Sequence, residues 1–341
     1  MKHAKMKSPK IEDVARLAQV SIMSVSRAMR GVEGVSEQKR DEIIQIARSI
    51  GYHPSNAAAT LAASSSPLIG VSVPTIFGSV FAEIFNSMRS TFEHGGFQTI
   101  FDVNDYSEKS EEVWVERMIS WRPAGIILTG VDHTTKTKRL IKATGIPTLE
   151  IWDYSKTPID ICVGIDHYKA GFLIGEYIAK LGYKNPAYIG VNTGKDKRSE
   201  NRLNGIQDAF KKKSIEFCKI DSSSNDATFD SGQQATKQLM ENTPKKPDVI
   251  FYLNDNMAFG GTMYCEKHGV KIPQDIGIVG CNDLNINTVL NRQITTTITP
   301  LTQMGTTSAR NLVAKISGAK VQPSVALKVE IKKGQTTCQQ K

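Results

Sequence analysis

The chain has 341 residues, 40% of them hydrophobic, which is enough to bury a substantial core and too many for one small domain. Its formal charge is +9, and residues 1 to 66 hold ten Lys/Arg against six Asp/Glu, so nearly half of the excess lies in the N-terminal fifth, where it either favours polyanions or confers solubility. The five cysteines (Cys162, Cys218, Cys265, Cys281, Cys338) are odd in number and form no C-x-x-C pair, which argues against a disulfide framework or a zinc site and for reduced, cytosolic thiols.

In chain order, the basic start MKHAKMKSPK is followed by no apolar stretch of the kind a secretion signal needs. Residues 11 to 50 then carry three apolar stripes at helical spacing: Ile11, Val14, Ala15 and Ala18; Ile22, Val25 and Met29; Ile43, Ala47 and Ile50. Ser21 and Ser36 stand where N-caps belong, and Gly51 is a C-terminal stop. The segment IEDVARLAQVSIMSVSRAMR places two helices around a break at Gln19 and Val20, the spacing of a helix-turn-helix. The second helix, Ser21 to Arg30, packs on Val25, Met29 and part of Ile22, and turns Met23, Ser24, Arg27 and Arg30 outward. Periodicity alone reads equally well as a small helical bundle with a solvated face.

From Tyr52 to Pro67 the chain runs YHPSNAAATLAASSSP, an Ala- and Ser-rich linker with helical potential in its middle. Beyond it, short apolar runs (LIGVSV, FQTIFDV, GIILTG, PTLEIW, CVGID, AYIGV, DVIFYLN, IGIVGCN) alternate with amphipathic segments such as VFAEIFNSMRSTFEHG and AGFLIGEYIAKLG. That alternation predicts parallel sheets covered by helices, in two α/β subdomains with a ligand cleft at the carboxyl ends of the strands. No run reaches the roughly 18 apolar residues of a membrane span, so a cytoplasmic protein with no membrane partner is expected.

The run IEDVARLAQVS..SVSRAM, the following VSEQKRDEI.....GYHPS and the linker together resemble, in order and spacing, the DNA-binding domain of LacI/GalR regulators. The resemblance implies a recognition helix at Ser21 to Arg30, with Ile22, Met23 and Arg27 at base-reading positions, Ser21, Ser24 and Ser26 near phosphates, and Arg30 on the same helix. A guanidinium can bond bidentately to guanine, worth roughly 1 to 3 kcal/mol of discrimination, so Arg27 is the favoured base reader; its alternative role is a phosphate clamp. The turn position that usually holds Gly is Gln19 here, and a left-handed conformation there costs roughly 1 kcal/mol relative to Gly. The family's hinge helix, which folds on specific DNA and wedges a leucine into the minor groove, places Leu61 at the wedge, with plain linker apolarity as the alternative. Ala59 stands where the family commonly has Arg.

The remainder resembles periplasmic sugar-binding proteins, and LacI-type regulators in VGIDHYKAG, YLNDNMAFGG, IPQDIGIVGCND and TTTITPLTQMG. The resemblance implies effector contacts at Phe77, Ser79, Trp152, Asp153, Arg202, Phe229, Asn254 and Asn282. Arg202 can grip a carboxylate or a pair of hydroxyls, the two Asn can serve a polyol or cap a helix or turn, and Trp152 and Phe77 offer flat faces to C–H groups. The stretches SVFAEIF, GGFQTIF, MISWRPAGIILTGVDHT and GIPTLEIWDYSKTPIDICVGIDHYKA, with Arg30 where the family commonly has Asn, are similar to the gluconate operon repressor branch. Gluconate or a related sugar acid is therefore the expected effector; a neutral sugar, a sugar phosphate and a purine are the alternatives.

The domain expectation is a helix-turn-helix over 1–51, a hinge over 52–66 and an effector-binding and dimerisation core over 67–341. The core divides into an N-subdomain (about 67–166 plus a late crossover segment) and a C-subdomain (about 167–295 plus a C-terminal return). The implied partners are palindromic double-stranded operator DNA, a small-molecule effector and a second copy of the chain; KKGQTTCQQK carries no leucine heptads for a tetramerisation coil. No cofactor, metal or catalytic residue is expected: G-x-G-x-x-G after the first strand, the P-loop, G-x-S-x-G and H-E-x-x-H are all absent, and six scattered histidines make no metal cluster. A transport receptor would share the core but not residues 1 to 66.

Overall fold

The computed structural model describes residues 9–53, 66–76, 79–191, 196–221 and 226–340. The chain forms two compact units, Met1–Ser66 and Pro67–Lys341.

In the first unit the three apolar stripes become three helices, α1 (Ile11–Leu17), α2 (Ile22–Arg30) and α3 (Glu37–Ser49). Their inward residues Val14, Ala18, Val25, Ala28, Ile43 and Ala47 make one buried cluster, with Met29 and Val20 packed at its margin. The caps fall where sequence places them: the Ser21 and Ser36 hydroxyls accept from the backbone N–H groups of Ser24 and Lys39, and Gly51 takes the left-handed conformation after α3. Gln19 stands at φ 52°, the left-handed turn that a Gly would adopt more cheaply.

The second unit is built from two parallel sheets. The N-terminal half contributes β1 (Ser66–Val73), α4 (Ser79–His94), β2 (Gln98–Val103), α5 (Glu108–Ser120), β3 (Pro123–Thr129), α6 (Thr135–Thr144), β4 (Thr148–Asp153) and β5 (Ile161–Ile165). The C-terminal half runs α7 (His167–Lys180), β6 (Pro186–Gly190), α8 (Lys197–Lys211), β7 (Cys218–Asp221), α9 (Phe229–Asn242), β8 (Val249–Tyr252), α10 (Asp255–Lys267), β9 (Gly277–Val279), α11 (Ile286–Val289) and β10 (Thr296–Ile298). The chain then returns through α12 (Leu301–Ile316) and β11 (Ser324–Ala326) to the first sheet, and ends with β12 (Glu330–Lys332) antiparallel to β10.

Strand order is β11-β5-β4-β3-β1-β2 in the first sheet and β7-β6-β8-β9 in the second. The near-continuous apolar runs are the strands buried on both faces: every residue of β3, β5, β6 and β8 is buried, as parallel sheets under two helical layers require. β2 is an edge strand, and its burial alternates instead. Ile84, Met88 and Phe92 on α4 seal one face of the first sheet, joined by Leu301, Met304 and Leu312 of the returning α12. Because both sheets are parallel within themselves, the loops after β1, β3, β4, β6, β8 and β9 collect at strand carboxyl ends, where such folds bind ligands. Among the described residues no helix is long and apolar enough to cross a membrane, and no group of three or more His, Cys, Asp or Glu is arranged to hold a metal ion.

Candidate nucleic-acid interface and ligand cleft

Helix α2 carries no acidic residue and ends in two exposed arginines, so its outer face is suited to a polyanion. Its first turn is anchored by Ser21, whose hydroxyl accepts the Ser24 N–H at 3.1 Å and lies 2.9 Å from the Ser24 hydroxyl. Ile22 and Met23 beside that cap are 48% and 61% exposed. Ser24 and Ser26 are half-buried. Arg27 reaches over the loop after the helix: a Cβ at Gly34 would stand 2.9 Å from its guanidinium. Arg30 donates from Nε to the Ser26 carbonyl at 3.2 Å, which leaves its terminal nitrogens to solvent. Leu61 lies outside the described residues.

In the second unit, a cavity of about 450 Å³ opens at the strand ends between the two halves. Ser79, Trp152, Arg202, Phe229, Asn254 and Asn282 all line it, although they come from α4, β4, α8, α9 and the loops after β8 and β9. Phe77 lies outside the described residues. Asp153 lines instead a neighbouring polar chamber of about 310 Å³, together with Glu108, Asp132, His167 and Lys197. Tyr106 and Arg198 border both.

Backbone strain gathers here. Of the eight described non-Gly residues with positive φ, Asp105, Tyr106, Trp152, Asn282 and Asp283 follow or end strands at this cleft. Trp152, the bulkiest of them, stands at φ 82°; such conformations cost about 1 to 3 kcal/mol each and persist only where packing enforces them. For Trp152 the packing is visible: its ring meets Phe81 edge-on at 5.8 Å and tilts over His167 at 5.2 Å.

The two asparagines are partly spent on structure. Asn254 is the N-cap of α10, accepting from Met257 N–H at 2.9 Å and donating to the Ala227 carbonyl at 3.3 Å. Asn282 is buried and its carbonyl oxygen accepts from the Thr299 hydroxyl at 2.9 Å. The capping alternative therefore holds for Asn254, while Asn282 lines the cavity with its carbonyl oxygen taken by Thr299. Behind both sits Asp255, fully buried, which accepts the Leu284 N–H at 2.6 Å and donates its own N–H to the Cys281 carbonyl. Burial pushes its carboxyl up to about 7.

Arg202 is 8% exposed, and its guanidinium donates to His167 Nδ1 at 3.0 Å. The close approach of α7 and α8 that makes this possible needs Gly171, since a Cβ there would run into the Arg202 backbone. Because arginine can only donate, His167 Nδ1 must present a lone pair, and its proton sits on Nε2, 3.1 Å from Asp153 Oδ1. Burial lowers the His167 pKa, in keeping with a neutral ring. No carboxylate among the described residues lies within 4.0 Å of Arg202, so this buried cation is only partly compensated.

Arg198, one turn earlier on α8, is compensated: it bonds Asp196 from Nε at 3.0 Å and Asp153 at 3.4 Å, and lies 5.7 Å from the Tyr106 ring centre. Sequence reading passed over Arg198, Asp196, Tyr106 and His167. The i, i+4 spacing of Arg198 and Arg202 was the available signal for the first; nothing local marks Tyr106.

Comparison with known proteins places both units. Residues 10–55 match the model described as "Bacterial regulatory proteins, lacI family", and residues 176–337 match that of the periplasmic binding protein-like domain. The chain is 31% identical over 321 residues to the HTH-type transcriptional regulator GntR of Escherichia coli K12, covering 94% of this chain and 96% of that one. It superposes with TM-score 0.89 and 30% identity on the crystal structure of a LacI-family transcriptional regulator from Silicibacter pomeroyi, over 96% of this chain and 99% of that one. The lac repressor dimer bound to operator and the anti-inducer ONPF shares the fold, with TM-score 0.79 and 23% identity over 97% of this chain and 100% of that one.

Proposed function

Because the chain belongs to the LacI family of bacterial regulatory proteins, and is thus a DNA-binding transcriptional regulator, we propose that it is a homodimeric repressor controlled by a sugar acid, gluconate or a near relative. The observation that carries the effector assignment is Arg202: a buried guanidinium lining the cavity, with an imidazole nitrogen as its hydrogen-bond partner and, among the described residues, no carboxylate within 4.0 Å. An effector carboxylate supplies the missing charge, and charge-assisted hydrogen bonds are the strong ones. The Asn282 amide and the Ser79 hydroxyl meet sugar hydroxyls, and Trp152 and Phe229 cover C–H faces. Asn254 acts chiefly by holding α10 and the loop before it. The gluconate-branch resemblance of the sequence agrees with this reading.

Asp196 lines the same cavity and accepts hydroxyl donors, which favours a neutral sugar as the second reading. Thermal-shift titration of the full chain separates the two. Gluconate and ketogluconates are expected to raise Tm at concentrations at least about 10-fold below those at which neutral sugars or purines do so; stabilisation by neutral sugars or purines alone would sink the sugar-acid assignment.

On DNA, α2 enters the major groove of each half-site, about 34 to 36 Å apart in a palindrome. Arg27 reads a base edge, Ile22 and Met23 read thymine methyls or groove shape, and Ser21, Ser24, Ser26 and Arg30 meet the backbone. Leu61 wedges the centre of the site. Arg27→Ala is expected to lower affinity for the selected operator by about 1 to 3 kcal/mol and to leave random-sequence binding nearly unchanged in parallel anisotropy titrations. An equal loss on both DNAs would make Arg27 a phosphate clamp.

A further inference from the structure

Arg198 stands in the wall between the effector cavity and the polar chamber beside it, and it ties the two halves of the second unit together. Its own half supplies Asp196 at 3.0 Å; the other half supplies Asp153 at 3.4 Å, the Thr129 carbonyl at 3.5 Å and the Tyr106 ring. Gly130 makes room for this crossing: at φ +96° it has no side chain, and a Cβ would lie 2.6 Å from the guanidinium and 3.0 Å from Asp153 Oδ2. Its neighbour Lys197 repeats the crossing at the surface, reaching Glu108 at 3.0 Å and Asp132 at 3.6 Å.

We propose that Arg198 is a charge-exchange switch, in which the carboxylate of a bound sugar acid, seated on Arg202, drives Asp153 off the Arg198 guanidinium by like charge and so loosens the tie between α8 and the strand ends of the N-terminal half. The inference rests on the sugar-acid reading. The Asp153 arm is the exchangeable one, because it is longer than the Asp196 arm and comes from the other half. Asp153 is not stranded by leaving, since His167 Nε2, which makes no hydrogen bond to a described residue in this arrangement, lies 3.1 Å from it and can donate once the carboxylate turns. The same His167 accepts from Arg202, so an anion arriving at Arg202 is two polar contacts from Asp153 and pushes on it directly by like charge. A neutral polyol fills the same cavity but has no charge to exchange. The switch therefore separates acid from neutral sugar in its effect on DNA binding, beyond any difference in affinity.

The test uses the full chain, a selected operator, and two probes of matched size, D-gluconate and D-glucitol. Asp153→Asn removes the competing charge and keeps the shape. Without effector, its operator affinity is expected to shift most of the way to the gluconate-saturated wild-type value, its gluconate Kd to tighten by about 5-fold, and the remaining coupling to fall below about 2-fold, against the roughly 5- to 150-fold typical of allosteric pairs. A variant with wild-type operator affinity and wild-type coupling overturns the exchange. Hydrogen exchange on the wild-type chain gives a second readout that needs no variant. Gluconate is expected to speed exchange at residues 129–132 and 153–155, and glucitol at saturation to leave it unchanged; identical patterns overturn the switch while leaving sugar-acid binding intact. If gluconate does not bind at all, the sugar-acid reading fails first and the exchange falls with it.

Discussion

At the scale of single residues, the molecule spends buried charge in two contrasting ways. Arg202 is partly uncompensated and faces a cavity, whereas His133 is fully enclosed, 2.6 Å from Glu111 and 3.4 Å from Glu150. Arg202→Met keeps the apolar stem and removes the fork, so calorimetry is expected to show gluconate affinity falling at least about 10-fold, the scale of a charge-assisted hydrogen bond. Unchanged affinity would remove Arg202 from the site. For His133, burial alone would lower the pKa, but the two glutamates outweigh it and hold the ring's pKa up at about 9. Its folded value thus exceeds the ordinary 6.5, so its stabilisation is complete below about pH 6.5 and is lost as pH rises through 9. Thermal unfolding is expected to show Tm of the wild type declining across that window, and His133→Gln to start lower and stay flatter. None of this was visible in sequence, where His133, Glu111 and Glu150 belong to three separate segments and only packing brings them together.

At the scale of elements, local chemistry and tertiary demand agree almost everywhere, and the disagreements are instructive. Stripes at helical spacing became α1, α2 and α3, and continuous apolar runs became buried parallel strands, because each pattern can bury its face in one way. Gln19 is the exception in the first unit: it is held at φ 52° by the close pairing of α1 and α2. Gln19→Gly is expected to raise the midpoint of thermal or urea unfolding, by up to about 1 kcal/mol of stability. No gain would mean the Gln side chain repays the strain elsewhere. At the cleft, the strained end of β4 carries Trp152 and the turns after β2 and β9 carry Tyr106 and Asn282, and no local propensity asks for them. Asn254 shows how one residue serves both levels, since the cap that starts α10 also shapes the rim of the cavity. The Asx side chain that ends a strand and opens a helix reads identically from sequence whether or not a ligand is near.

At the scale of the whole molecule, the edge strand β2 leaves Phe101 and Val103 nearly half exposed, with Phe85 of α4 edge-on to Phe101 at 5.1 Å. An apolar edge of this kind invites pairing with another surface, and a second copy of the chain is the occupant that the proposed dimer requires. Phe101→Asp is expected to shift sedimentation toward monomer and to weaken operator binding by more than 10-fold, since one recognition helix alone gives up the second half-site. A dimer of wild-type strength would place the interface elsewhere.

The sequence by itself determined which segments fold and into what: three capped helices, then strands and helices in alternation, because periodicity and caps are local properties. It also indicated six of the cavity-lining residues, through family likeness and their places at strand ends. Only the tertiary structure decided how those residues are employed: that Arg202 meets an imidazole, that Asn254 is spent on a cap, and that Asp153 faces the neighbouring chamber and joins Arg198 across the two halves. The reason is physical. Burial and pairing of charge are set by residues tens or hundreds of positions apart, whose meeting depends on both sheets being formed and the crossing segments returning between them.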